Sequence, residues 1–210
     1  MDGVLLDSEP THAQAWINTY QEQGITITGD YYFSNLSGKH GLDSTKLVLE
    51  ANNQQYTQAK AAALVLRKDQ LAANLLKNTA TPVKDVVEKV KELSKTHKLG
   101  LGSTSSMIVV HTILTKFDLD DQFNVTISGE GVSQGKPHPE VYEKIARLLE
   151  EDPSNCVVIE DSKSGIMAAK SAGMKCIAIF NRRNKKEDLV NADKVITSFE
   201  ELTAEVIEQL

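Results

Sequence analysis

The chain is 210 residues long, 40% hydrophobic and 25% charged, with a formal net charge of -6. That length can bury a sizeable core, in one domain or in a main domain carrying a smaller one, and the composition excludes a disordered chain. The acidic balance, with no stripe of Lys and Arg, excludes a non-specific nucleic-acid binder, and the basic cluster NRRNKK at 181 to 186 reads as a solvated loop.

The chain opens MDGVLLDSEP. Asp2-Gly3 ahead of an apolar run has the form of a strand tip that meets a charged ligand, yet no strand precedes it. From Thr11 to about Asn78 the text is helical: THAQAWINTYQEQG ends at a glycine suited to a helix C-terminus, and LDSTKLVLEANN and YTQAKAAALVLRKDQLAANLLKN follow. The longest apolar run, AAALVL at 61 to 66, is too short to span a bilayer, so no membrane segment is expected. No basic region followed by a long apolar stretch opens the chain, and Cys156 and Cys176 lie in or beside apolar segments without ligand-like spacing. Buried reduced thiols and a cytoplasmic location are the corresponding expectations.

From Thr81 onward helices alternate with short apolar strands. Thr81-Pro82 reads as a helix start, with Val83, Val86, Val87, Val90 and Leu93 down one face. Strands are expected at LGLGS, NVTIS, CVVIE, KCIAIF and KVITS, with helices near 106 to 117, 138 to 150 and 164 to 172. Such alternation implies an α/β fold, a parallel sheet covered on both faces, which binds ligands at the carboxyl ends of its strands.

Four strand ends carry chemistry. Besides Asp2-Gly3, Ser103, Thr104, Ser105 and Ser106 follow LGL and precede a helix, which suits either an anion site or a plain helix cap. Lys136 stands before two prolines in GKPHPE. Glu160 and Asp161 are adjacent carboxylates after VVI, and such a repelling pair has a hard cation such as Mg²⁺ as its natural companion, an ordinary helix-start acid being the plainer reading. Together the four ends hold the groups for metal-assisted phosphoryl transfer.

These segments resemble the motifs of the haloacid dehalogenase superfamily, in the branch with an inserted helical cap. DGVLLDSEP is similar to its first motif, LGLGSTSS to the second, GKPHPEVY to the third and VVIEDSKSGIMAAKSAGM to the fourth. The resemblance implies a Rossmann-like three-layer core at 1–8 and 79–210, with a helical cap at 9–78. Within the branch the chain is most similar to sugar and polyol-phosphate phosphatases and to beta-phosphoglucomutases. It implies Asp2 as general acid and base, Ser103 and Thr104 as phosphate-binding groups, and Lys136 as a catalytic and phosphate-binding cation. Asp2, Glu160 and Asp161 are implied as Mg²⁺ ligands.

In that family the nucleophile is the aspartate two positions before the general acid. Here that position precedes Met1, so the first core strand is expected to be largely missing from this chain. An aspartyl-phosphate mechanism is implied for a chain that includes it, and a non-catalytic phosphometabolite binder is the alternative. His12, Trp16, Gly38 and Lys39 are implied as substrate-side residues of the cap, the plainer reading being that Trp16 belongs to the cap core, while His12 is equally a polar neighbour of it. Ser37 and Gly41 fall where phosphomutases of this type carry basic residues, which weakens a phosphohexomutase reading that Lys39 keeps open. The expected partner is a small phosphorylated substrate, with no nucleic acid and no membrane, and the expected state is a monomer.

Overall fold

Pro10 sits in the first turn of helix α1 (Glu9–Gln21), where its missing N–H costs no helical hydrogen bond. In the computed structural model, which describes residues 1–210, this helix belongs to one of two units, Ser8–Ala80; the other joins Met1–Asp7 to Thr81–Leu210.

The first unit is all helix. Besides α1 it holds α2 (Gly29–Asn35), α3 (Gly41–Ala51) and the long α4 (Gln58–Thr79). Threonines start two of them: Thr28 Oγ1 accepts the Tyr31 amide at 3.1 Å and Thr57 Oγ1 accepts the Lys60 amide at 3.2 Å. The sequence reading missed α2, whose seven residues GDYYFSN are too few to show a helical period. Trp16, Tyr20, Ile25, Val48, Leu49 and Leu64 form the core of this unit. Trp16 stacks on Tyr20 with ring centroids 5.1 Å apart, and Lys68 Nζ lies 5.5 Å from the Trp16 ring. Removing the indole would leave a cavity in that core, so Trp16→Ala is expected to cost about 3–5 kcal/mol. A urea titration followed by circular dichroism checks it.

The second unit carries the sheet. Helix α5 (Val86–Leu93) comes first, then β1 (Gly100–Gly102), α6 (Met107–Lys116), β2 (Val125–Ile127) and α7 (Glu140–Leu149). Next follow β3 (Val157–Glu160), α8 (Lys163–Ser171), β4 (Lys175–Ile179), β5 (Lys194–Ile196) and the short α9 (Ala204–Glu208). All pairings between these strands are parallel, as the strand-helix alternation requires. Ile166, Ala168, Ala169, Cys176 and Ala178 are buried where α8 covers β3 and β4. Gly100 and Gly102 let α7 lie close on β1, since a Cβ at Gly100 would overlap Ile145. No helix is long and apolar enough to cross a membrane.

Two expectations are corrected here. The helix after residue 80 begins at Val86, not at Thr81, because Pro82 bridges to Leu6 and the Val83 amide donates to the Leu5 carbonyl at 2.8 Å, which holds this stretch extended. The thiol pair is also uneven: Cys176 is buried but Cys156 only half-buried. The sheet itself is in two pieces, β1-β2 and β3-β4-β5, with no hydrogen bonding between β1 and β3.

Candidate active site

Parallel strands deliver their carboxyl ends to one edge, and here four chain segments meet there. The Asp2-Gly3 turn closes with the Gly3 amide donating to the Leu6 carbonyl at 2.8 Å, and Gly3 has φ of +72°, a value that favours glycine. Asp2 Oδ2 accepts from Ser103 Oγ at 3.2 Å and Ser105 Oγ at 3.0 Å, both beyond the end of β1. Ser103 Oγ also accepts the Ser105 amide at 3.1 Å, which folds the hydroxyl turn. Thr104 stands between these serines, exposed, with its carbonyl against Gly129.

Glu160 ends β3 with a carboxylate almost out of water. Its Oε1 accepts from Lys136 Nζ at 2.6 Å and Tyr142 Oη at 2.8 Å. Its Oε2 accepts the amides of Asp161 at 3.0 Å and Ser162 at 3.1 Å, and Ser162 Oγ at 2.9 Å. Five donors exhaust the roughly four acceptor positions of a carboxylate. Burial alone would raise its pKa, but the Lys136 charge and hydrogen bond reverse that and hold it at about 2. Tyr142 is pushed well above its ordinary range by burial and by the Glu160 charge. Glu160 therefore has a counter-charge in Lys136.

Asp161 is the contrasting neighbour. Burial and the Glu160 charge raise it to about 6, against a hydrogen bond from Asn181 that favours the charged form. Asn181 Nδ2 donates to Asp161 Oδ2 at 3.0 Å and to the Gly3 carbonyl at 3.2 Å, tying the first segment to the fourth. Asn184 Nδ2 donates to the carbonyls of Asp161 and Ile179, each at 2.9 Å, and Arg183 Nε donates to Asp7 Oδ1 at 2.5 Å. A loop expected to be merely solvated thus braces the site. Applying the strand-end rule to KCIAIF would have found Asn181, two residues past β4.

The Asp161 carboxylate lies directly against Gly3, where any Cβ would overlap it. Gly3→Ala should destabilise the fold by about 1–2 kcal/mol through left-handed strain alone, and more through that collision; chemical denaturation measures the sum. Met1 closes the ring. Burial lowers the pKa of its amino group, and the charges of Asp2, Lys136, Glu160 and Asp161 all act on it. Asp2 and Asp161 offer hard oxygen donors, and Asp161, half-buried and repelled by Glu160 and Asp2, is a carboxylate that a cation would relieve. No group of three or more carboxylate, imidazole or thiolate side chains is placed to hold a metal ion.

The remaining candidates lie in the helical unit. His12 and Trp16 are buried, while Gly38 and Lys39 are exposed in the turn before α3, with Gly38 at φ +76°. Trp16 is a core residue, its ring covered by Tyr20 and Lys68. Ser37 Oγ donates to Glu9 Oε1 at 2.5 Å, which also accepts from Tyr32 Oη at 2.9 Å.

A doubly wound parallel core bearing carboxylates, hydroxyls and one buried lysine at its strand ends defines an enzyme of the phosphoryl-transfer type. The family model of haloacid dehalogenase-like hydrolases matches residues 1–179, and the chain belongs to that family. Over 208 residues it is 33% identical to hexitol phosphatase B of Escherichia coli strain K12, covering 97% of this chain and 92% of that protein. Among solved structures, beta-phosphoglucomutase from Clostridium difficile matches with a TM-score of 0.80 and 27% identity over 99% of this chain and 92% of that one. CbbY from Rhodobacter sphaeroides, in complex with phosphate, matches in fold with a TM-score of 0.89 at 24% identity, covering 100% of this chain and 96% of that one.

Proposed function

We propose that this polypeptide, with an aspartate joined ahead of Met1, is a Mg²⁺-dependent phosphomonoester hydrolase of a small sugar or polyol phosphate. The observation that carries this reading is the gathering of Asp2 with Ser103, of Lys136 with Glu160 and of Asp161 with Gly3 at one edge of the sheet, reinforced by the likeness to a hexitol phosphatase.

In the first half-reaction a carboxylate oxygen of that aspartate bonds to phosphorus, the ester P–O bond breaks, and Asp2 gives its proton to the departing alkoxide. In the second, water attacks the same phosphorus, Asp2 takes a proton from it, and the acyl phosphate bond breaks to regenerate the carboxylate. Ser103 and the Thr104 amide hold phosphoryl oxygens, and Lys136 offsets their charge. Asp161, with an oxygen of Asp2, would hold Mg²⁺, which when bound neutralises phosphoryl charge. Glu160, which accepts from Lys136, would place that ammonium and act on the metal directly or through water.

Asp2→Asn removes the proton carrier while keeping an acceptor for Ser103 and Ser105. The expected result is a loss of about 10²–10⁴-fold in kcat on hexitol and hexose phosphates, with thermal stability retained. An unchanged kcat would remove Asp2 from the mechanism. Substrate choice is assigned to the helical unit, to His12, Gly38 and Lys39 and not to the core residue Trp16. Lys39 is the basic residue of its loop, so the phosphohexomutase alternative is tested by incubating hexose 1-phosphate and looking for the 6-phosphate.

A further inference from the structure

An ammonium group held at one point still turns about its own stem. Lys136 Nζ carries three N–H donors and gives one to Glu160 Oε1 at 2.6 Å, which fixes where the nitrogen sits but not where the other two point. A second contact supplies that direction: Nζ lies 4.9 Å from the ring centroid of Tyr142, inside the distance at which the negative face of an aromatic ring attracts a cation. Tyr142 also donates its hydroxyl to Glu160 Oε1 at 2.8 Å. One side chain thus holds both members of the ion pair, the ammonium by its ring and the carboxylate by its oxygen.

Tyr142 is itself held in place. It is buried in one core with Ile127, Val158 and Cys176, and its Cε1 would stand 3.7 Å from a Cβ on Gly102, the residue before Ser103. Helix α7 carries the ring, and its first turn also grips the loop that carries the lysine: Glu140 Oε1 accepts the Ser133 amide at 2.9 Å and Oε2 accepts the Gln134 amide at 2.8 Å. Packing and hydrogen bonds therefore brace ring and ammonium as one segment, the condition for holding a reacting group to a fixed geometry. Burial alone asks for no more than an aliphatic side chain at this position. Only an aromatic ring attracts the ammonium, and only a tyrosine adds a donor to Oε1.

We propose that Tyr142 is a positioning residue for Lys136: its ring sets the direction of the ammonium, and its hydroxyl shares Glu160 Oε1, so that the carboxylate draws one N–H and leaves another for a phosphoryl oxygen. The ring carries the larger part, because it acts on the ammonium itself, whereas the hydroxyl acts through the carboxylate. Delivery of that N–H to a phosphoryl oxygen rests on the function proposed above; the hold of the ring on the ammonium does not.

The test uses the full 210-residue chain with ¹³C-labelled lysine and reads two quantities. The first is the shift of the Lys136 ε-methylene protons, identified by the signal lost in Lys136→Arg. Shielding by the ring should place them upfield of their position in the urea-unfolded chain, Tyr142→Phe should keep that displacement and Tyr142→Leu should lose it. The second is affinity for inorganic phosphate by titration calorimetry, which should weaken by about tenfold in Tyr142→Leu and by no more than about threefold in Tyr142→Phe. No upfield displacement in the folded parent overturns the proposal without recourse to any variant. So does equal weakening by the two substitutions, or a Tyr142→Leu chain that loses the displacement and binds phosphate as the parent does. Displacement that follows the ring in a parent that binds no phosphate upholds the hold of Tyr142 on Lys136 and contradicts the phosphatase assignment.

Discussion

In a chain whose Met1 follows an apolar strand ending in aspartate, Lys136→Ala is expected to lower Mg²⁺-dependent turnover by about a hundredfold or more. The same substitution should cost about 3–5 kcal/mol of stability. Both effects arise from one contact: Lys136 Nζ and Glu160 Oε1 are 2.6 Å apart, with side chains only 10% and 7% exposed. Deleting the ammonium removes a positive charge from the phosphoryl site and strands a buried carboxylate. The pairing of Lys136→Met with Glu160→Gln separates the two, because it deletes both charges together. Stability should return to within about 1–2 kcal/mol of the parent while turnover stays low. Turnover that recovers along with stability would show that Lys136 is structural only.

Acid should unfold this protein through Glu160. Its folded pKa, about 2, lies below the ordinary 4.5, because Lys136 and the other donors overcome the burial that by itself would raise it. A depressed carboxylate contributes stability that is fully present above the unfolded pKa and is lost as pH falls through the folded one. The window is therefore pH 4.5 down to about 2, and the shift corresponds to about 3 kcal/mol. Urea midpoints taken at intervals across that window should fall steeply in the parent chain. Glu160→Gln, uncharged throughout, should start lower and fall by less. Equal slopes in the two proteins would deny Glu160 its part in acid stability.

The alternation of apolar strands with amphipathic helices was legible because parallel strands buried on both faces are written as short, unbroken runs such as CVVIE and KCIAIF. Strand ends then pointed to Asp2, Ser103, Lys136, Glu160 and Asp161, which the fold does bring together. Division of labour between the two acids was not legible, since it depends on which one meets the ammonium. Sequence neighbours in a strand point to opposite faces, so Glu160 turned to Lys136 and Tyr142 while Asp161 turned to Asn181. Asn181 and Asn184 were hidden by the charge of NRRNKK, a composition that reads as solvent-facing whatever its amides bond. The start of α5 was misjudged because Pro82 fits a first helical turn as well as it fits a bridge to Leu6, and only the tertiary partner decides between them.

The most direct measurement is the site of covalent phosphorylation. A chain lengthened by an apolar strand and aspartate ahead of Met1 is mixed with a hexitol phosphate and Mg²⁺, quenched in acid within the first turnover, and mapped by peptide mass spectrometry. Phosphate on the aspartate adjoining Met1, absent when Lys136 is replaced by alanine, is the expected result. Phosphate on another residue, or turnover without a phosphorylated chain, would contradict it.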